Sequence, residues 1–151
     1  MSFPELNLPA FPFKIQPGAQ RSKIFDLVRK KYVALTPEEW VRQHFVQFLV
    51  NELGCPASLI AIEQGLVYNK RNKRSDVVVY NTTGNPVLIV ECKAPEIKIN
   101  QEVFHQVAAY NMTLKVGLLV VTNGMQHFCC RIDHELKTYA FLPDIPPWPE
   151  M

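Results

Sequence analysis

Residues 75–93 have the sequence SDVVVYNTTGNPVLIVECK. Two runs rich in β-branched residues, 76–80 and 86–93, flank a cluster of turn-forming residues, which is the pattern of a β-hairpin. Gly84 lies in that cluster and can adopt the positive φ that a tight turn needs. The two runs are therefore predicted to form neighbouring antiparallel strands.

The register of this hairpin follows from the position of its turn. A turn centred just after Thr83 places Asp76 directly opposite Glu91. Directly opposed residues point to the same face of a sheet, with Cβ atoms about 4.5–5.5 Å apart. Because side chains alternate along a strand, Lys93 joins that face and Cys92 points away from it. Two carboxylates and an ammonium group are thus predicted to converge at one end of the hairpin.

This arrangement predicts a metal site. Two opposed carboxylates repel each other unless a cation lies between them. Mg²⁺ prefers oxygen ligands, keeps several waters and is commonly held by one or two carboxylates. Asp76 and Glu91 are the predicted ligands, with a backbone carbonyl near Cys92 as a third oxygen. Lys93 is placed to activate a water and to stabilise negative charge on a phosphate. The alternative is a polar strand end held by an ordinary salt bridge.

The wider pattern resembles the PD-(D/E)xK nuclease superfamily, whose core has an Asp at the start of one strand and Glu-x-Lys on the next. More narrowly, RSDVVVYNTTGNPVLIVECKAPE, followed by FHQVAAYN and VGLLVVTNG, resembles the nuclease domain at the N terminus of type I restriction enzyme R subunits. The resemblance extends from Leu35 to Phe128. Ser75 replaces the proline before the Asp, at a position that supplies no ligand. The family implies Mg²⁺- or Mn²⁺-dependent hydrolysis of DNA phosphodiester bonds.

The resemblance also implies two residues beside the active centre. In these nucleases a Gln-x-x-x-Tyr pair on the helix after Glu-x-Lys borders the centre, and the matching residues are Gln106 and Tyr110. They lie four apart on a helix that helical spacing predicts from Gln101 to Leu114, so they share one face. The alternative is a helix edge that packs Tyr110 and exposes Gln106.

Three further acids are candidates for the metal site. Related nucleases often carry an extra acid on the first helix, for which Glu39 and Glu52 are the candidates. Glu39 also fits a capping box with Thr36, which is a structural role. Glu63 lies in an otherwise apolar strand, where a buried charge needs a partner, and is the next metal-ligand candidate.

A basic segment precedes Asp76. Lys70, Arg71, Lys73 and Arg74 lie within the few residues before it and are predicted to contact DNA phosphates that flank the scissile bond. The net charge of +2 is too small to indicate nucleic-acid binding by itself. The alternative is a solvated basic turn.

The order of predicted elements gives an α/β fold with a restriction-endonuclease-like core. A mixed central sheet of about five or six strands is flanked by helices in the order αβββαβ, and the first helix is capped by Thr36 and ends at Gly54. A single nuclease-like domain is predicted over residues 21–142. It lies between a proline-rich arm, residues 1–20, and a proline-rich tail, residues 143–151.

Composition limits the class of protein. A chain of 151 residues with 48% hydrophobic content fits one compact domain. No apolar run approaches the ~20 residues that span a membrane, so a cytoplasmic location without membrane contact is expected. The four cysteines lack the spacing of a zinc site or a disulfide framework. Cys92 and the adjacent pair Cys129 and Cys130 are predicted to be buried strand residues.

The absence of other motifs shapes the functional hypothesis. The sequence has no P-loop and no recognisable base-reading element, so translocation and sequence recognition are expected from other restriction-system subunits. A double-strand cut needs two active centres or two events, which favours a homodimer. The leading hypothesis is a Mg²⁺-dependent DNA phosphodiesterase. The alternatives are a catalytically silent DNA- or partner-binding module with the same fold and a small structural domain.

Overall fold

A computed structural model describes residues 3–68, 71–112 and 114–151, apart from the side chains of residues 64–68 and 71–74. Over these residues the chain forms a six-stranded mixed sheet and a separate three-stranded sheet. The elements in chain order are β1 (Ile15–Gln16), β2 (Lys23–Asp26), β3 (Lys31–Ala34), α1 (Pro37–Asn51), β4 (Ile60–Tyr68), β5 (Arg71–Tyr80), β6 (Pro86–Cys92), α2 (Gln101–Met112), β7 (Leu118–Thr122), β8 (His127–Asp133) and β9 (Thr138–Leu142), with 3₁₀ turns at Ala57–Leu59 and Trp148–Glu150.

The large sheet has the strand order β4-β5-β6-β7-β8-β9. Strands β6 and β7 are parallel, and every other neighbouring pair is antiparallel. Helix α2 connects the two parallel strands, which need a crossover of this kind. The predicted α/β class and the order αβββαβ are therefore confirmed, with β8 and β9 extending the sheet. Among the described residues, neither helix is long and apolar enough to cross a membrane.

The two helices pack on opposite faces of the large sheet because its central strands are apolar on both faces. Phe45 and Leu49 of α1 contact one face, and Phe104 and Ala108 of α2 contact the other. The strand residues facing α1 include Val77, Val79, Leu88, Val90, Cys92 and Val120. Those facing α2 include Val78, Ile89, Leu119, Val121 and Cys130. All four cysteines are free and buried, as expected for Cys92, Cys129 and Cys130.

Helix α1 begins as its sequence predicts, and its last residue is Asn51, three residues before the predicted end at Gly54. The Thr36 hydroxyl accepts a hydrogen bond from the Glu39 backbone N–H at 3.0 Å, and Pro37 occupies the first turn. The Thr36 hydroxyl thus pairs with one of the backbone N–H groups that have no partner within the first turn of a helix. Beyond the last turn, Gly54 has a φ of +75°, which lets the chain leave the helix toward β4.

The hairpin between β5 and β6 turns at a slightly different place from the prediction. Tyr80 lies opposite Pro86, one residue out of step with the predicted pairing. A register shift between Val79 and Tyr80 then moves the ladder by one residue, so Val77 lies opposite Val90. This is the predicted register. The irregularity near the turn therefore restores the pairing that brings the candidate carboxylates to the same place on neighbouring strands.

The proline-rich arm and tail both pack on the domain. In the arm, Leu6 is buried and the Asn7 N–H donates to the Gly124 carbonyl at 2.8 Å. In the tail, the Trp148 N–H donates to the Leu53 carbonyl at 2.8 Å, and its indole N–H donates to the Tyr80 carbonyl at 3.2 Å. These contacts cover the α1 side of the core with chain that has little regular structure.

Gly124 provides a test of how the arm is held. It has a φ of +85°, and a Cβ atom there would lie 2.8 Å from Leu6 Cδ2. Gly84 has the same φ, but a Cβ atom there would meet nothing within 4 Å. We expect Gly84→Ala to lose about 1–2 kcal/mol of unfolding free energy from backbone strain alone. Gly124→Ala should lose about 1–3 kcal/mol more in urea denaturation, because the arm must shift. Equal losses in the two variants would show that Leu6 packing contributes nothing.

Candidate metal centre

The predicted triad lies where β5 and β6 run side by side. Asp76 is in β5, Glu91 is the penultimate residue of β6, and Lys93 follows that strand. The Cys92 N–H donates to Asp76 Oδ2 at 2.7 Å, which fixes the Asp76 carboxylate against the neighbouring strand. The Lys93 N–H donates to the Thr122 carbonyl at 2.8 Å and so extends the contact between β6 and β7. The backbone thereby holds all three residues in place.

Alternation along β6 separates Glu91 from Cys92. Ile89 packs on the α2 face, and alternation assigns Glu91, two residues later, to that same face of β6. The Glu91 carboxyl group nevertheless meets Asp76, which contacts Arg42 of α1. Cys92 is buried in the α1-side core, as its predicted orientation requires. Burial, followed by the charge of Asp76, raises the pKa of the Cys92 thiol, so the thiol stays protonated. A role for the Cys92 carbonyl as a metal ligand stays a prediction.

The Asp76 and Glu91 carboxyl groups interact strongly. Burial, the charge of Asp76 and a hydrogen bond with that carboxyl raise the pKa of Glu91 to about 8, and the charge of Lys93 opposes this rise only in part. Burial and the neighbouring carboxylate therefore both favour the protonated form of Glu91 at neutral pH. A cation bound between the two groups would relieve their repulsion.

The oxygen donors of Asp76 and Glu91 suit a hard divalent cation. Two adjacent carboxylates are a sufficient protein contribution for Mg²⁺, which retains water in its remaining coordination positions. Among the described residues, no three His, Cys, Asp or Glu side chains are grouped closely enough to hold a metal ion by themselves. The fit is thus to an ion that keeps several waters, and zinc, which favours four protein ligands in structural sites, does not fit.

Arg42 of α1 connects the centre to the helix. Its Nη1 lies 3.4 Å from Asp76 Oδ1, and its Nη2 lies 3.3 Å from Glu63 Oε1. Its Nε and Nη2 also donate to the two carboxylate oxygens of Glu39 at 3.0 and 2.9 Å. Burial opposes the charge of this guanidinium, but the hydrogen bond and charge of Glu39, together with Asp76, raise the pKa of Arg42. Arg42 therefore stays ionised beside the candidate ligands.

The same network reaches the three-stranded sheet. Arg29 Nε donates to Asp26 Oδ2 at 2.6 Å, and Arg29 Nη2 donates to Glu39 Oε1 at 3.2 Å. The Gln43 amide donates to Asp26 at 3.0 Å and to Glu39 at 2.8 Å. Burial acts to raise the pKa of Asp26, but hydrogen bonds from Arg29 and Gln43 outweigh it and lower the pKa. Buried charges thus tie the small sheet to α1.

Carboxylates outnumber guanidinium groups among the described side chains of this network. There, Arg29 and Arg42 are shared by four carboxylates, namely Asp26, Glu39, Glu63 and Asp76. Glu91 adds a fifth carboxyl group next to Asp76. A divalent cation beside Asp76 and Glu91 would improve this balance, which supports the fit of the donor set to a metal ion.

The three additional acids occupy different places. Glu63 has a φ of +53° and contacts Arg42 at 3.3 Å and Arg29 at 3.6 Å. Glu39 is buried, and Arg42 lies between its carboxylate and Asp76. Glu52 is exposed at the far end of α1, about 20 Å along the helix from Glu39. The structure therefore brings Glu63 and Glu39 near the centre through Arg42, and it leaves Glu52 away from it.

Gln106 and Tyr110 lie on the exposed side of α2, which is the helix that covers the face of β6 to which alternation assigns Glu91. Tyr110 is 41% exposed. Both side chains are therefore accessible to an external ligand. Their roles at the centre stay predictions.

The basic segment lies largely beyond what the structure describes. Lys70 is outside the described residues, as are the side chains of Arg71, Lys73 and Arg74. The backbone of the last three belongs to β5, where Arg71 pairs with Tyr68 and Arg74 pairs with Gly65. Their contact with DNA stays a prediction.

The residue that sequence reasoning missed is Arg42. Its spacing of three from Glu39 on a predicted helix was the available signal, because residues so spaced are neighbours on the helix surface. Arg29 forms ion pairs with Asp26 and Glu39, whereas Lys30 and Lys31, which follow it, are exposed. The pairing of Arg29 with Asp26, also three residues apart, carried the same signal.

Comparison with known proteins agrees with the fold. A family model described as "Type I restriction enzyme R protein N terminus (HSDR_N)" matches residues 37–146. The matched range contains both helices, the whole six-stranded sheet and every residue of the candidate triad. No curated protein sequence matches the chain.

Two solved structures are similar to the chain. One is a fragment of a Vibrio vulnificus YJ016 protein provisionally assigned as an HsdR subunit of a type I restriction enzyme, with 20% identity and a TM-score of 0.50. This match covers 74% of the chain and 24% of that protein, so the chain spans about a quarter of its relative. The other is an Anabaena variabilis ATCC 29413 protein of DUF820 provisionally assigned as a nuclease, with 10% identity, a TM-score of 0.47 and coverage of 85% and 80%. At these identities the first match supports the restriction-endonuclease-like fold alone.

Proposed function

The chain belongs to the family of type I restriction enzyme R protein N termini, and on that premise we propose that it is a Mg²⁺-dependent DNA phosphodiesterase. The observation that carries the proposal is the pair of carboxyl groups of Asp76 and Glu91, which lie close enough for burial and the charge of Asp76 to raise the pKa of Glu91 beside Lys93. A salt bridge that dominated the surroundings of Glu91 would lower the pKa of its carboxyl group instead.

Each residue of the centre has a distinct part in the proposal. Asp76 and Glu91 would hold Mg²⁺ or Mn²⁺, which when bound polarises a phosphate oxygen and activates water. Lys93 would position the attacking water and stabilise charge on the phosphate. Gln106 and Tyr110, exposed on α2, would hydrogen-bond the phosphate from the side.

The substrate and partners are inferred from the family. DNA would approach along β5, where Lys70, Arg71, Lys73 and Arg74 would contact its phosphates. Because the chain spans about a quarter of the HsdR relative, translocation and sequence recognition would come from other parts or subunits of a restriction system. Two chains acting together would be needed for a double-strand cut in one event.

Lys93→Met tests the assignment. We expect this variant to cleave DNA about 10²–10⁴ times more slowly than wild type with Mg²⁺, because the lysine acts on the water and the phosphate. Lys98→Met is the matched control, since Lys98 is an exposed lysine five residues away, and it should cleave normally. Manganese binding, measured by isothermal titration, should persist in both variants. Equal cleavage by wild type and Lys93→Met would remove Lys93 from the active centre.

A second candidate function is a catalytically silent DNA- or partner-binding module. The observation that favours it is Arg42, whose guanidinium lies 3.4 Å from Asp76 and supplies positive charge where a metal ion would otherwise do so. In that case wild type would bind no divalent ion, yet it would bind DNA with an affinity that falls steeply with salt. Anomalous scattering from a crystal soaked in Mn²⁺ separates the two functions, because a peak between Asp76 and Glu91 is expected only for the nuclease.

A further inference from the structure

A second site lies on the other side of α2, in a cavity of about 640 Å³ between that helix and the hairpin of β8 and β9. We call it the α2–β9 cavity. Its volume is typical of a site for a small ligand. The side chains that surround it are His105, Ala109, Met112, Lys115, His134, Lys137, Thr138 and Tyr139.

The cavity is basic. Two lysines and two histidines line it, and no Asp or Glu is among the described residues of its lining. Asp133 and Glu135 lie nearby, in an adjoining cavity that shares His134, Thr138 and Tyr139. Arg29 and Arg42, by contrast, are directly paired with carboxylates. A lining of cationic and imidazole groups without a carboxylate favours an anionic ligand.

The two lysines are held in an uncommon conformation. Lys115 has a φ of +55° and Lys137 has a φ of +54°, a region that favours glycine or asparagine. Lys115 follows α2, and Lys137 lies in the turn between β8 and β9, so two unrelated turns present a lysine to the same cavity. Lys30 has a similar φ of +57° but lies in the small sheet, so what distinguishes Lys115 and Lys137 is that both line one cavity.

The remaining wall combines fixed polar groups with flat apolar surface. His134 Nε2 donates to the Val116 carbonyl at 2.9 Å, which fixes the orientation of that ring. The Tyr139 ring lies 6.4 Å from the His105 ring and 5.5 Å from the Phe104 ring, measured between centroids, and forms an aromatic wall. Met112 completes the apolar part. Such a wall accepts the flat face of a nucleobase, whatever its sequence.

The cavity is separate from the candidate metal centre. It lies beside Lys115, which precedes β7, whereas Lys93 contacts Thr122 at the opposite end of that strand. A strand of five residues is about 15 Å long. One ligand group cannot occupy both places.

We propose that the α2–β9 cavity binds a nucleoside phosphate, with its base against Tyr139 and Met112 and its phosphate at Lys115 and Lys137. The ligand would be a free nucleotide or the 5′-phosphorylated end of a DNA strand, which share this chemistry. The Thr138 hydroxyl adds a hydrogen-bond donor beside the phosphate. The inference does not depend on the cleavage activity proposed for Asp76 and Glu91.

Isothermal titration with AMP tests the site, with a 5′-phosphorylated oligonucleotide and its unphosphorylated form as parallel ligands. We expect saturable binding of AMP, of the phosphorylated strand or of both, and weaker binding of the unphosphorylated strand. Lys115→Asn and Lys137→Asn should each weaken binding by at least about tenfold, since each removes a charge-assisted hydrogen bond. Asparagine tolerates the left-handed region, so both variants should fold.

Lys30→Asn is the matched control. Lys30 is an exposed lysine with a φ of +57° in a turn of the small sheet, and its replacement should leave binding unchanged. Proton NMR gives a second readout, because AMP should shift the ring signals of His105 and His134 and leave those of His44 and His127 in place. The proposal is overturned if neither phosphorylated ligand binds wild type, or if the two cavity variants bind as Lys30→Asn does. Loss of cleavage in Lys93→Met leaves both results unaffected.

Discussion

Asp76→Asn is expected to cleave DNA at least about a hundredfold more slowly than wild type in the presence of Mg²⁺, and to bind Mn²⁺ measurably less tightly. A bound metal ion supplies several kcal/mol of transition-state stabilisation, and each 1.4 kcal/mol corresponds to about a factor of ten in rate. Asparagine removes one of the two carboxylates that would hold the ion. Burial is the largest cause of the raised pKa of Glu91 and the charge of Asp76 is the second, so the substitution removes the second cause and lowers the pKa of the remaining carboxyl group in part.

Asparagine is the substitution of choice because it preserves the local fold. Asp76 Oδ2 accepts a hydrogen bond from the Cys92 N–H at 2.7 Å, and an amide oxygen can accept the same bond. Asp144→Asn is the control, since Asp144 is an exposed aspartate outside the centre, and it should cleave as wild type does. Plasmid cleavage and Mn²⁺ titration should be measured on the same preparations. If Asp76→Asn binds Mn²⁺ and cuts at the wild-type rate, the metal centre is elsewhere.

The candidate site could be placed from the sequence because the residue numbers of paired residues in a hairpin add up to a constant. One register fixes which residues oppose each other, so Asp76 and Glu91 could be placed together from the length of the turn between them. The turn itself is less predictable, since a local irregularity near Tyr80 changes the pairing without changing the sequence pattern. The predicted register of β5 and β6 is observed beside the candidate site because the hydrophobic faces of the two strands dictate it there, and the turn accommodates it.

The buried network could not be predicted in the same way. It joins Asp26, Glu39, Arg42, Glu63 and Asp76, which come from separate elements of the chain apart from the α1 pair Glu39 and Arg42. The spacing of residues along a helix predicts side-chain contacts within that helix, such as Glu39 with Arg42. Contacts between different elements depend on how α1 crosses the sheet, which the spacing does not show. Glu39 is an example, because the sequence pattern predicts its capping role but not the contacts of its carboxylate with other elements. Its backbone N–H does contact Thr36, whereas its carboxylate is used by Arg29, Arg42 and Gln43.

Arg42→Met is expected to lose about 3–5 kcal/mol of unfolding free energy, measured by urea denaturation. Arg42 is 8% exposed and makes two hydrogen bonds to Glu39, which is 4% exposed. Removing the guanidinium leaves the Glu39 carboxylate buried with only Arg29 as a cationic partner among the described residues, and a buried charge that loses its partner is costly. Gln47→Met is the matched control, because Gln47 lies on the same helix and is also 8% exposed. It should lose much less, since no charge is left behind.

A double variant identifies the source of that loss. If the cost in Arg42→Met comes from the abandoned Glu39 carboxylate, then Glu39→Gln in the same chain removes the charge and should recover about 1–3 kcal/mol. The introduced amide oxygen would still accept a hydrogen bond from Arg29 or Gln43, each of which donates to one oxygen of the native carboxylate. Strictly additive losses in the double variant would instead mean that Arg42 acts by packing its stem against α1 and β5. The coupling between these two residues therefore measures whether the charges beside the candidate centre stabilise the fold as a pair.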